Sequence, residues 1–279
     1  MLSSANILAY SSAIDGLSTL ATRDVKSVLD SLEGSNPIEF RDALVAALPD
    51  VLDPYGNLAG EVAAQWYMEL REASGVVEIF ESDSLLSPDR ERSEVLARWA
   101  VAPLFAQSDS TVLSLLSGGV QRLISGVGRD TIQDNILRDP VRVGYSRIPR
   151  PGCCSFCGML ASRGAVYASA ESAGGVVGRG VSAASTAGKV GGQGKGVKAR
   201  GSLAVGSTKY HDHCHCVAAP VFVGDTYHKE IEQTYTAMYE EAIGTKLSEY
   251  SGRGPEYPQV DSVDGKATLA NWREMFGTK

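Results

Sequence analysis

The chain has 279 residues, of which 43% are hydrophobic, 21% charged and 7% aromatic. That is the composition of a globular protein of one or two domains, and it excludes a disordered or fibrous one. A net charge of −7 excludes a protein that coats nucleic acid through its overall charge, because phosphate neutralisation needs a basic surface.

The opening stretch, Met1 to Gly16, lacks the basic segment and apolar core of a signal peptide. No run approaches the roughly eighteen apolar residues that span a bilayer. The expectation is a protein made in a reducing cytoplasm, with no membrane contact. Charge is unevenly spread. Residues 1–149 carry 21 acids against 12 bases, residues 150–209 carry 1 against 8, and residues 210–279 carry 11 against 6. A mild total thus hides a basic central segment.

Residues 1–148 read as a helical docking region. Asn36-Pro37-Ile38-Glu39 offers an N-cap, a proline at the first helical position and a carboxylate three residues after the cap, with Phe40 and Leu44 following on one face. Asp53-Pro54 repeats the start signal and leads into Leu58, Val62, Trp66, Tyr67 and Leu70, a helical stripe that Gly75 ends. Val95, Leu96 and Trp99, then Val112, Leu116, Val120, Leu123 and Val127, predict two further helical faces, with Pro103 kinking or breaking the first. These stripes are core and carry no chemistry.

From Val141 the texture changes to a small α+β module, residues 149–223 with its approaches. Val141–Ile148, Ala165–Tyr167 and Val217–Val223 have the length and β-branched content of short strands. Residues 173–206 contain 11 glycines in 34 positions and cannot build an ordered core, having little apolar area to offset backbone entropy. Residues 224–279 read as a helical tail. Ile231, Tyr235, Met238, Tyr239 and Ala242 share one helix face, Ser251–Pro258 breaks that helix, and Thr268–Phe276 forms a last short one. The fold class is therefore α+β, mostly α.

All 5 Cys and 4 His fall between Cys153 and His228. An odd number of cysteines, closely spaced, suits a metal site better than a disulfide framework. Cys154-x-x-Cys157 places two sulfurs around one tight turn, the spacing that grips a Zn²⁺ at about 2.3 Å per bond. Tyr210-His-Asp-His-Cys-His-Cys216 supplies the other ligands, and both His211-x-x-Cys214 and Cys214-x-Cys216 fit. If four protein ligands close the shell, no open position is left for water and the metal is structural, its affinity appearing as folding free energy of the module. Thiolates disfavour Mg²⁺ and Ca²⁺, and an iron–sulfur cluster would call for four well-placed cysteines and fewer histidines. A redox CxxC pair and plain buried thiols are the competing readings.

Enzyme readings fare worse. A zinc deaminase needs His-x-Glu ahead of its Pro-Cys-x-x-Cys, and no histidine precedes Pro151. Only His228 lies outside the cluster, so no independent catalytic triad is visible. Asp212-His213-Cys214-His215 resembles the Asp-His-x-His element of endonuclease-VII-like HNH nucleases, but the second CxxC of that pattern is missing, since residues 217–279 contain no cysteine. A metal-dependent nuclease using Asp212, His213 and His215 is the alternative reading.

Arg147–Tyr167, then Tyr210–Cys216 and Pro220-Val-Phe222, together resemble the minor capsid proteins of tailed actinobacterial phages, related to the MuF-like head morphogenesis proteins. Trp66–Arg71 and the stretch from Gln121 to Asn135 resemble the helices that precede the cysteine motif there, so the resemblance covers about residues 5–240. Cys154, Cys157, His211, Cys214 and Cys216 occupy the family's ligand positions, four of the five being expected to bind zinc. The resemblance implies a structural virion component inside the phage head, assembled in the host cytoplasm. It would bind portal protein, major capsid protein or both, act in head assembly or DNA delivery, and take no small-molecule substrate. Members are sometimes labelled maturation proteases, but no protease domain is visible. Arg179, Lys189, Lys195, Lys198 and Arg200, scattered through the glycine-rich stretch, are candidate contacts to packaged DNA.

Overall fold

The computed structural model describes residues 4–86, 88–105, 111–150, 153–162, 213–225, 229–244 and 265–277. The expected strand at 165–167, the glycine-rich stretch with its five basic residues, His211, Asp212 and the 251–258 break lie outside the described residues. In chain order the elements are α1 (Ser4–Ser31), α2 (Pro37–Ala73), α3 (Arg90–Ala100), a 3₁₀ turn (Ala102–Leu104), α4 (Val112–Arg138), β1 (Gly144–Ile148), α5 (Ser155–Ala161), β2 (Val217–Val221), α6 (Lys229–Ile243) and α7 (Gly265–Phe276). Among the described residues the protein is mostly helical, with one small antiparallel sheet, in keeping with the mostly α, α+β class its sequence predicts. It divides into two compact units, residues 1–135 with 210–215, and residues 136–209 with 216–279.

In the first unit α2 packs against α1 and α3. The α2 start is as predicted: the Asn36 side-chain oxygen accepts from the N–H groups of Ile38 and Glu39 at 3.1 and 3.0 Å, satisfying two donors that have no partner inside the helix. The end is also as predicted. Gly75 takes φ +73° and its N–H donates to the Glu72 carbonyl, while the Val76 N–H reaches Arg71, a paired closure that a left-handed residue permits.

Between those ends the structure departs from expectation. Asp53-Pro54 does not start a new helix, and α2 runs unbroken through Pro49 and Pro54. Each proline removes one backbone donor, yet the buried series Leu44, Leu48, Leu52, Gly56, Ala59, Ala63, Tyr67 and Leu70 continues across both, so packing outweighs the local penalty. The buried face is also rotated from the predicted one, leaving Leu58 46% exposed. Small residues turn inward instead, because another backbone must come close: a Cβ on Gly60 would sit 2.2 Å from the Leu85 carbonyl oxygen.

That backbone belongs to the irregular link between α2 and α3, held by side chains where no helix or strand is available. Asn135 accepts from the Asp83 N–H and donates to the Asp83 carbonyl, Thr131 accepts from the Leu85 N–H, and Ser82 donates to the Ala64 carbonyl. Tyr10 of α1 stacks on Trp66 of α2 with ring centroids 4.1 Å apart. Gly119 of α4 lies against Leu96 and Gly128 against Tyr10 and Ile14, so these two glycines mark close approaches of the helix to its neighbours. Pro103 ends the α3 region in the 3₁₀ turn as predicted, but of the predicted α3 face only Leu96 is buried, with Val95 and Trp99 exposed.

In the second unit β1 and β2 pair antiparallel, Ile148 opposite Val217 and Arg147 opposite Ala218. Of the three expected strands, those at 141–148 and 217–223 are present in shorter form, and the third lies outside the described residues. α5 packs against β1, α6 and α7, and α6 against α7. Tyr239, Ala242 and Trp272 are the buried centre, flanked by Tyr235, Met238 and Phe276. Gly158 again reports close approach, since a Cβ there would fall 2.5 Å from the Trp272 ring.

Candidate metal centre

The CxxC pair sits at the start of α5. The Cys154 carbonyl accepts the Gly158 N–H at 3.1 Å, so Cys154 opens the helix and Cys157 lies in its first turn, where it is buried. Cys216 immediately precedes β2 and is buried with it, and Cys214, two residues earlier, is buried too. The sulfurs of Cys157, Cys214 and Cys216 lie within 4.8 Å of one another. Around a zinc ion with bonds of about 2.3 Å, tetrahedral geometry separates sulfurs by about 3.8 Å. The trio is thus close to the spacing that a metal would impose, and soft, buried donors can hold a metal ion of the zinc class.

Of the other two predicted ligands, His211 lies outside the described residues. Cys154 is half-buried and is not one of the three. Its neighbour Cys153, also half-buried, donates to the Tyr235 hydroxyl at 3.7 Å, and that hydroxyl in turn approaches the Arg150 carbonyl at 3.5 Å. Burial, reinforced by Cys153, Cys216 and Cys157, raises the Tyr235 hydroxyl pKa well above the usual tyrosine range, so it stays a neutral hydrogen-bonding group.

Several contacts at the cluster were not legible in the sequence. Arg147, buried on β1, places Nη1 3.7 Å from Cys157 Sγ, setting a guanidinium beside a candidate metal thiolate. The Cys214 carbonyl accepts from Gln121 Nε2 at 2.8 Å and from Arg129 Nη2 at 2.6 Å. His213, one residue earlier, has φ +60°, in the left-handed region that few non-glycine residues occupy, histidine more often than most. His215 Nδ1 is 2.8 Å from Asp15 Oδ1 of α1. Of the three residues offered for a nuclease, His215 therefore faces Asp15, His213 is exposed, and Asp212 is outside the described residues. The only sequence signal for the Gln121 and Arg129 contacts was polar residues spaced four apart among the apolar positions Leu116, Val120 and Ile124 of a helix otherwise read as core.

Among known proteins, the family model described as VG15 protein matches residues 1–242, spanning α1 to α6 and every cysteine. The chain belongs to the VG15 protein family. This is a viral family, which agrees with a bacteriophage origin for this VG15 member. No curated protein and no solved structure matches it. Among the described residues of this VG15 protein, no helix is long and apolar enough to cross a membrane.

Proposed function

We propose that this VG15 family protein is a structural minor head component of a tailed phage, related to the MuF-like head morphogenesis proteins of actinobacterial phages. It binds portal or major capsid protein inside the head and acts in assembly or DNA delivery. Zinc is its structural metal, held by Cys157, Cys214 and Cys216 with Cys154 or His211 as the fourth ligand. The observation that carries the metal part is the buried trio of sulfurs within 4.8 Å. The viral family match over residues 1–242, added to the resemblance in the cysteine motif, supports the head role. Three buried thiols suit a metal that holds structure rather than one that activates water. The five basic residues of the glycine-rich stretch are proposed to touch packaged DNA.

Mass spectrometry of purified virions and proheads tests the head role. The chain should be present in both at low copy number and should co-purify with portal or major capsid protein. Absence from both particles rejects the role.

A further inference from the structure

We infer that Gln121 and Arg129 are positioning residues for the metal centre, forming a buried clamp that fixes the Cys214-x-Cys216 turn in its ligating conformation. This rests on the metal reading above. Gln121, Ser125 and Arg129 follow one another at four-residue spacing on α4 and are all buried. Gln121 Nε2 donates to both Ser125 Oγ, at 3.2 Å, and the Cys214 carbonyl, so the amide is oriented from its own helix. Arg129 reaches the same carbonyl at 2.6 Å, a charge-assisted bond.

Two donors converging on one backbone oxygen of a ligand residue do what a side-chain ligand cannot do for itself. They set the peptide plane that precedes His215 and thereby the direction from which Cys214 and Cys216 present their sulfurs. The need for such a hold is visible next door: His213 occupies left-handed backbone space, which a free turn would leave readily. Neither donor is on the sulfurs' own segment, so the turn is held from a rigid helix. Outer contacts of this kind typically alter metal affinity ten- to a hundred-fold when removed, even though the ligands themselves are untouched.

The test uses the full chain with zinc and, separately, cobalt as probes. Zinc affinity is measured by competition with a chromophoric chelator, and the zinc-induced rise in melting temperature is recorded for wild type, Gln121→Met, Arg129→Lys and Arg129→Met. The expected result is a zinc affinity about ten-fold or more weaker in Gln121→Met and Arg129→Met, with partial rescue in Arg129→Lys. The zinc-induced rise should shrink, and the cobalt thiolate absorption should change in shape. A merely structural clamp lowers the melting temperatures of the zinc-free and zinc-loaded forms equally and leaves their difference and the cobalt spectrum unchanged; that result overturns the inference. If Arg129→Met does not fold, Gln121→Met and Arg129→Lys decide by the same criteria. Wild type that takes up neither zinc nor cobalt overturns the metal reading and this inference with it, whereas variants that bind as wild type does overturn the clamp alone.

Discussion

Gly60 shows how much a single side-chain position can decide. The Leu85 carbonyl oxygen lies where a Cβ would be, and backbone on both sides cannot yield as a flexible side chain can. Gly60→Ala is expected to destabilise the first unit by about 1–3 kcal/mol, read from the urea midpoint, despite alanine's higher helix propensity. A variant as stable as wild type would mean that the link is not seated there. Asp130 makes a second case. Burial raises its carboxyl pKa and outweighs the pull of Arg92 and Arg129 in the other direction. The folded chain thus binds this proton more tightly than the unfolded chain. The group's stabilisation is full below the unfolded value near 4 and is lost as pH climbs through the raised folded value. Asp130→Asn, uncharged throughout, should therefore be more stable than wild type at pH 7, with the gap closing near pH 3.5. Denaturant titrations at the two pH values check this, and a gap that persists or reverses counts against it. At the cluster, Cys216→Ser should reduce bound zinc well below the wild-type content in a colorimetric metal assay.

Helix α2 illustrates the contest between local signals and packing. Its ends obey local chemistry: the Asn36 side chain caps one end, and the left-handed Gly75 closes the other. Asn36→Ala removes both side-chain bonds at the first turn and should cost about 1 kcal/mol in thermal or denaturant unfolding. An unchanged midpoint would show that tertiary contacts alone hold that turn. The interior obeys packing, because the apolar series continues through two prolines that would end an isolated helix. α4 adds a different lesson. Gly119 and Gly128 record close approach to Leu96 and Tyr10, while the polar residues Gln121, Thr131 and Asn135 serve as hydrogen-bond partners for irregular backbone at Cys214, Leu85 and Asp83. A polar residue in a core helix here marks a neighbouring segment that lacks its own ladder.

Over the whole molecule, the cysteines and histidines all fall between Cys153 and His228, and the described cysteines sit at the start of α5 and just before β2. The two-stranded sheet is small for an independent unit, so a metal at the cysteines would supply much of what its limited core cannot. Chelation of the wild-type protein should therefore remove hydrogen-exchange protection from Gly144–Ile148 and Val217–Val221 while α1 and α2 keep theirs, measured by mass spectrometry on the full chain. Equal protection with and without chelator would deny the metal a folding role. The sequence by itself determined the mostly helical α+β class, both ends of α2, the break at Pro103 and the strands flanking the cysteines. Each depends on short-range chemistry: a cap, a left-handed glycine, a proline or a run of β-branched residues. Only the tertiary structure decided that α2 continues through Pro54, that its buried face turns toward Gly60, that Cys157 joins Cys214 and Cys216, and that Gln121 and Arg129 hold Cys214. Those outcomes depend on which distant segments meet, and packing between residues tens of positions apart leaves no periodic trace in either segment alone.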